Sequence, residues 1–240
     1  MNYEQILLEQ AEAFALHLGE HIDQMPERDD SHRALACALA CELSIEHAYA
    51  LRILFATGAQ NAASAMLQVQ YEALVRAAWF AYVTTDAELE AMLDPDSGFT
   101  RPDPGRMVQG LKAQLAGEPA LAGLVKPLLA MNDAFTRVLG MLERGGINPL
   151  QHAKVGFPLD VFDTVVRCSN GLMYLAFRLL ARQGPVGEFI QRMDGALAGF
   201  QYVLSADEGH PNVGLSLLAA VVFVMRSTGP LAPVPVIFIT

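Results

Sequence analysis

The chain has 240 residues, a formal net charge of −10, and 52% hydrophobic against 18% charged residues. A composition this apolar excludes wholesale disorder, and 16 scattered Lys and Arg argue against broad contact with nucleic acid, leaving room only for a local basic groove. Mean hydropathy is +0.28, enough to fill the core of one large domain and leave apolar surface for a partner.

The opening stretch, "MNYEQILLEQAEAF", carries Glu4 and Glu9 and no basic segment, so it does not read as a secretory signal. Leu7, Leu8, Ala11, Phe14, Ala15 and Leu18 follow the 3.6 period and predict a first helix over 3–23. "MPERDDSH" breaks it. Ser31 is a good N-cap for a second helix, with Asp29 and Asp30 favourable near its positive end. That helix runs to Gly58, a natural C′ residue. A third opens at Asn61 or Ser64 and ends near Thr84. Two long helices joined by about six residues must lie antiparallel, and their many alanines permit close approach.

Asp86 begins a short helix, "DAELEAML". The proline- and glycine-rich "DPDSGFTRPDPGR" is a loop, and residues 107–116 are helical again. Residues 86–117 therefore read as a loop-rich helical insertion. "EPALAGLVKPLLAMNDAFTRVLGMLERGG" predicts a helix kinked at Pro127 and capped by Gly145 and Gly146. After the loop "GGINPLQHAKVGFPL" comes the helix "DVFDTVVRCSNGLMYLAFRLLARQ". Its Gly171 costs about 1 kcal/mol against Ala and points to close packing. "GEFIQRMDGALAGFQYVL" closes a single all-α bundle domain over 1–205. From 211 to 240 the only charged side chain is Arg226. The run "VGLSLLAAVVFVM" spans about 20 Å as a helix, too short for a hydrocarbon core of ~30 Å. The tail 206–240 is therefore expected on the bundle or a partner, not in a membrane.

Three cysteines, Cys37, Cys41 and Cys168, make no disulfide framework. Cys37 and Cys41 are i,i+4, and with His32 they are a conceivable metal cluster, but small buried residues in a reducing cytoplasm are the expected reading. There is no GxGxxG, GxxxxGK[ST], HExxH, CxxC or GxSxG pattern, and no cofactor or metal is expected.

Two polar constellations stand out. Ser64, Gln68, Glu72 and Arg76, each four apart, draw a polar stripe on an otherwise apolar helix. Glu42, Glu46, Tyr49 and Arg52 share a face of the preceding helix. An ion-pair network of Glu46, Arg52, Glu72 and Arg76 is the expected reading, and a binding or catalytic groove that also takes in Gln68 is the alternative. Arg144, Asn148 and His152 lie on a loop, where His152 suits acid–base chemistry near neutral pH. Ser169 and Asn170, in mid-helix, read as packing or helix-to-helix hydrogen bonds.

The segments "IEHAYALRILFATGAQNAASAMLQVQYEALVRAAW", "GGINPLQHAKVGFP" and "VVRCSNGLMYLA" together resemble a group of bacterial domains of unknown function with a HEPN-like all-α bundle, over residues 35–82 and 140–180. The resemblance implies an antiparallel helical bundle that dimerises. Relatives in the wider class include toxin and defence ribonucleases, which place an Arg and a His at a short set gap on a dimer interface. Arg28 and His32 have three residues between them and Arg144 and His152 have seven, so neither pair matches that motif. The expectation is a cytoplasmic, HEPN-like binding or assembly module, a homo-oligomer open to a protein partner. The alternative is a degenerate or rearranged HEPN ribonuclease with His152 as base and Arg144 or Arg76 steadying the phosphate charge.

Overall fold

The computed structural model describes residues 2–24, 30–117, 125–130, 157–182, 195, 199–200 and 203–204. Among them are six helices and no strand: α1 (Tyr3–Asp23), α2 (His32–Ala56), α3 (Gln60–Tyr82), α4 (Asp86–Leu93), α5 (Pro104–Gly117) and α6 (Leu159–Ala181). Residues 125–130, which include Pro127, are also helical. The rest of the helix expected around Pro127, with Gly145 and Gly146, lies outside the described residues. So do the loop 147–156, most of the last amphipathic helix and the tail 206–240.

Local chemistry accounts for the helix ends. Asn2 and Gln5 form a capping box on α1: the Gln5 N–H donates to Asn2 Oδ1 at 2.9 Å, and the Asn2 N–H donates to Gln5 Oε1 at 3.1 Å. Ser31 Oγ accepts from the Ala34 N–H at the start of α2. Thr85 and Glu88 make a second capping box on α4. At the far end of α2, Gly58 takes φ +81°, the left-handed conformation that glycine adopts without a Cβ clash.

The α2–α3 turn is shorter than expected. Only Thr57, Gly58 and Ala59 separate the helices, and α3 begins at Gln60 with no side-chain cap. Neither Asn61 nor Ser64 opens it. Ser64 lies inside the first turns and donates back to the Gln60 carbonyl. Because Gly58 reverses the chain in one residue, the helical conformation resumes at once. Similarly, α5 starts at Pro104, where a missing N–H is harmless and φ is already helical.

The antiparallel α2–α3 hairpin is the most intimate contact in the bundle. Its buried positions are mostly small: Ala34, Cys37, Ala38, Ala40, Cys41, Ser44 and Ala48 on α2, and Ala63, Ala73, Ala77 and Ala78 on α3. Short side chains let the two backbones close in. At the open end, Arg33 of α2 donates to the Phe80 carbonyl at 2.9 Å and the Thr84 carbonyl, and its Nη2 lies 2.6 Å from Asp86 Oδ1. A guanidinium there satisfies carbonyls at the negative end of α3.

α6 is the central helix. It is buried without interruption from Val165 to Ala181 and packs on α1, α2 and α3. Phe55 meets Phe162 edge-on at 4.8 Å, in the tilted geometry that aromatic quadrupoles favour. The insertion packs through α5 against α3. Gly110 permits that approach, since a Cβ there would lie 3.0 Å from Val83 Cγ1. Among the described helices, α2 alone is long and apolar enough by composition to cross a membrane, and 44% of its most apolar window is buried in the bundle, a pattern shared by core helices of globular proteins.

Candidate functional site

Among the described residues, three of the places where polar side chains enter the apolar core lie where helices distant in sequence meet. The first joins α2, α3 and α6. Gln70 is fully buried; its Nε2 donates to the Ser169 carbonyl at 2.9 Å and its Oε1 accepts from Ser169 Oγ at 2.7 Å. Ser44 Oγ donates to the Gln70 carbonyl at 3.0 Å. Next to Ser169, Asn170 Nδ2 donates to the Val203 carbonyl at 3.1 Å, while its Oδ1 is buried without a hydrogen bond. Ser169 and Asn170 thus tie helices together and present no nucleophile to an open space.

The second joins α1, α2 and α6 around Arg52. Its side chain is 5% exposed; its Nε donates to Glu12 Oε2 at 3.1 Å, and Nη2 lies 3.0 Å from the same oxygen. That Nη2 approach is off the hydrogen-bond direction, which leaves the nitrogen without a hydrogen bond. Nη1 reaches the Met173 sulfur at 3.7 Å, and the guanidinium carbon sits 4.4 Å from the Tyr49 ring centroid. Arg52 therefore pairs with α1, not with Glu46 or α3. The α2 helix turns Arg52 inward, whereas Glu46 is exposed. The expected network of Glu46, Arg52, Glu72 and Arg76 is not assembled.

The third pins the start of α1 to α6. Arg167 Nε donates to Asp163 Oδ2 at 2.8 Å, Arg167 Nη2 donates to the Tyr3 hydroxyl at 3.0 Å, and that hydroxyl donates to Asp163 Oδ1. Burial pulls the Arg167 pKa down, but Asp163 and Tyr3 outweigh it and the net shift is upward. Burial and the Asp163 carboxylate push the Tyr3 phenol up. Ser169 is expected from the sequence to hydrogen-bond between helices and does; Gln70, Asp163, Arg167 and Tyr3 are not singled out there, although the i,i+4 spacing of Asp163 and Arg167 is a local signal.

The stripe on α3 has a different character. Ser64 is buried, Gln68 exposed, and Glu72 and Arg76 half-buried. Gln68 Nε2 donates to Glu72 Oε1 at 3.0 Å. Glu72 and Arg76 do not form the intrahelical ion pair that their spacing favours, and among the described residues Arg76 has no hydrogen bond. Its Nε is buried without a partner. Burial holds the Arg76 pKa below its ordinary value, the nearby Arg101 guanidinium adds to this, and Glu72 opposes it.

The remaining candidates divide simply. Arg144, Asn148 and His152 lie outside the described residues. Cys37, Cys41 and Cys168 are buried and form no disulfide, and no cluster of three metal-ligating side chains occurs among the described residues. Burial, reinforced by Asp163, pushes the Cys168 thiol up to about 12. Burial also raises the Tyr82 phenol against the opposing charge of Arg182, whose Nη1 donates to it at 3.1 Å. Such groups stay neutral and unreactive at neutral pH.

No curated protein and no solved structure matches the chain. A family model does: it matches residues 41–206, well over half of the chain, and so takes in the α2–α3 hairpin from Cys41 onward, the insertion and the whole of α6. The chain belongs to DUF6988, a family of unknown function.

Proposed function

We propose that this protein is a HEPN-like helical bundle that serves as a binding and assembly module and pairs with a second copy of itself. The observation that carries this reading is the outer face of α2. Leu35, Leu39 and Ile53 are 53%, 58% and 63% exposed there. At 100° per residue the three fall within a narrow arc, and at 1.5 Å per residue they span about 27 Å. The exposed Glu42 and Glu46 lie between them on the same face. A two-fold interface uses the same patch on both copies, so an apolar stripe along one helix can pack on itself. Antiparallel pairing brings Leu35 toward the partner's Ile53, and sets Glu42 near the partner's Glu46, a like-charge contact that the flanking apolar ends must outweigh.

The charges buried at the helix contacts support a structural role. Arg52 with Glu12, and Arg167 with Asp163 and Tyr3, tie helices to one another. We place the module in the cytoplasm, which the sparse and odd cysteine count favours. Sedimentation equilibrium across a dilution series tests the pairing. Wild-type protein is expected as a dimer, with Leu39→Glu and Ile53→Glu monomeric and equally helical by circular dichroism. A wild-type monomer would refute the self-assembly reading, and a dimer untouched by both substitutions would move the interface off α2.

A further inference from the structure

His17 and His21 stand one turn apart on α1, and the assembly reading makes no use of them. Their i,i+4 spacing puts both imidazoles on one face of the helix. The fold brings the two rings to a centroid separation of 4.8 Å, edge to face at 74°. Both residues are half-buried, at the border between the buried Phe14 and Leu18 and the exposed Ala13 and Glu20. The His17 side chain keeps 37% of its surface exposed, so solvent reaches the pair. Ala13, one turn before His17, is too small to close that face.

The rings are held in place from a distant part of the chain. The Phe200 ring lies 5.5 Å from His17 and 5.3 Å from Phe14, centroid to centroid. An aromatic wall on one side restricts the imidazole and lowers the entropy lost when it takes a ligand. Glu20 Oε2 lies 3.8 Å from His17 Nδ1. That is too long for a hydrogen bond, yet a carboxylate there favours a proton on Nδ1 and leaves Nε2 as the basic nitrogen, the way carboxylates orient ligating histidines. The ring separation also fits a shared ion. With metal–nitrogen bonds of about 2.1 Å and an imidazole radius of about 1.2 Å, two imidazoles on one ion at about 90–110° have centroids about 4.6–5.3 Å apart. The observed 4.8 Å falls inside that interval.

We infer that His17 and His21 form a bidentate site for a nitrogen-preferring divalent transition-metal ion, of the class of Zn²⁺, Ni²⁺ and Cu²⁺, with water completing the coordination. Imidazole selects these ions over Mg²⁺ and Ca²⁺, which take oxygen ligands. The C-terminal end of α1 carries the negative end of the helix dipole, and a protein with a charge of −10 attracts cations. Structural zinc sites are closed by protein ligands alone, so two histidines with water make an exchangeable site. A bound ion clips the C-terminal turns of α1 together beside Phe200. The site lies within one chain, away from the α2 interface, and stands or falls without it.

Isothermal titration of the full chain with zinc chloride, and with magnesium chloride in a parallel series, tests this. Saturable zinc binding is expected, about tenfold weaker or worse in His17→Ala and in His21→Gln, unchanged in His32→Ala, and without a magnesium counterpart. Zinc should also raise the melting temperature of wild-type protein and not that of His21→Gln. His21 is in the last turn of α1, so His21→Gln reports on binding even where His17→Ala, which loses the Phe200 contact, fails to fold. Absence of saturable zinc binding to wild-type protein, equal binding by His21→Gln, or loss in His32→Ala would each overturn the proposal. Leu39→Glu should bind zinc as wild type does; loss of binding there would overturn a site contained in one chain. A dimer that forms normally while zinc fails to bind would sink this site and leave the assembly reading standing.

Discussion

Gln70 of α3 and Ser169 of α6 exchange two hydrogen bonds in the dry centre of the bundle, at 2.9 and 2.7 Å, across 99 residues of sequence. Both side chains are essentially inaccessible to solvent, so neither has water as an alternative partner. The pair sets the register of α6 against the hairpin, because sliding either helix by one residue would orphan all of these groups at once.

Gln70→Leu is accordingly expected to destabilise the fold by about 1–3 kcal/mol, since it strands the Ser169 hydroxyl in an apolar environment and removes the second acceptor contact at the Ser169 carbonyl. The double variant Gln70→Leu/Ser169→Ala removes the stranded hydroxyl as well and should recover part of that loss. Urea unfolding midpoints of the two variants measure it. A double variant no more stable than Gln70→Leu alone would show that the seam contributes only packing.

The Arg52–Glu12 pair predicts an asymmetry. Arg52 is 5% exposed and Glu12 47% exposed. Removing Glu12 leaves a buried guanidinium with only Met173 and the Tyr49 ring, at a cost of about 1–3 kcal/mol after allowing for screening at the exposed partner. Arg52→Met keeps the aliphatic bulk and leaves a carboxylate that water can reach. Glu12→Ala should therefore lower the unfolding midpoint more than Arg52→Met does. The reverse order would mean that the pair is held together mainly by contacts of the arginine stem.

Alkaline pH should destabilise the protein. The Cys168 thiol is pushed from 9.0 up to about 12 by burial and Asp163, and the Tyr82 phenol is raised from 10.0 by burial. The folded state holds these protons more tightly than the unfolded chain. Their contribution is therefore complete below the unfolded values and is lost as pH rises through the window toward the folded ones. Melting temperature should hold up to about pH 9 and fall above it, with a shallower fall in Cys168→Ala. An unchanged slope in that variant would assign the alkaline loss to other groups.

Purified, folded protein is expected to leave RNA intact in the presence of a chelator. Of the residues that the ribonuclease alternative needs, Arg144 and His152 do not match the spacing of the wider class. Metal-independent cleavage that disappears in His152→Ala would reverse the assignment and make the bundle a ribonuclease of unusual geometry.

The helices were readable in the sequence because their causes are local. The stripe of Leu7, Ala11, Phe14 and Leu18 gives α1 its period, and Ser31 and Gly58 bracket α2. Hydrogen bonds that define a helix join residues four apart, so a short window holds the information. The α2–α3 hairpin follows for the same reason, since a short link between two long helices admits one arrangement.

Which polar groups meet was decided only by the tertiary structure. The sequence led to the expectation that Arg52 joins Glu46, Glu72 and Arg76, yet it pairs with Glu12, 40 residues earlier. Glu72 and Arg76 have the right spacing for a pair, yet Glu72 accepts from Gln68 and makes no ion pair with Arg76. The free energy of a charge depends on what surrounds it once water is displaced. Those surroundings arrive from distant segments, through packing that no local window of sequence contains.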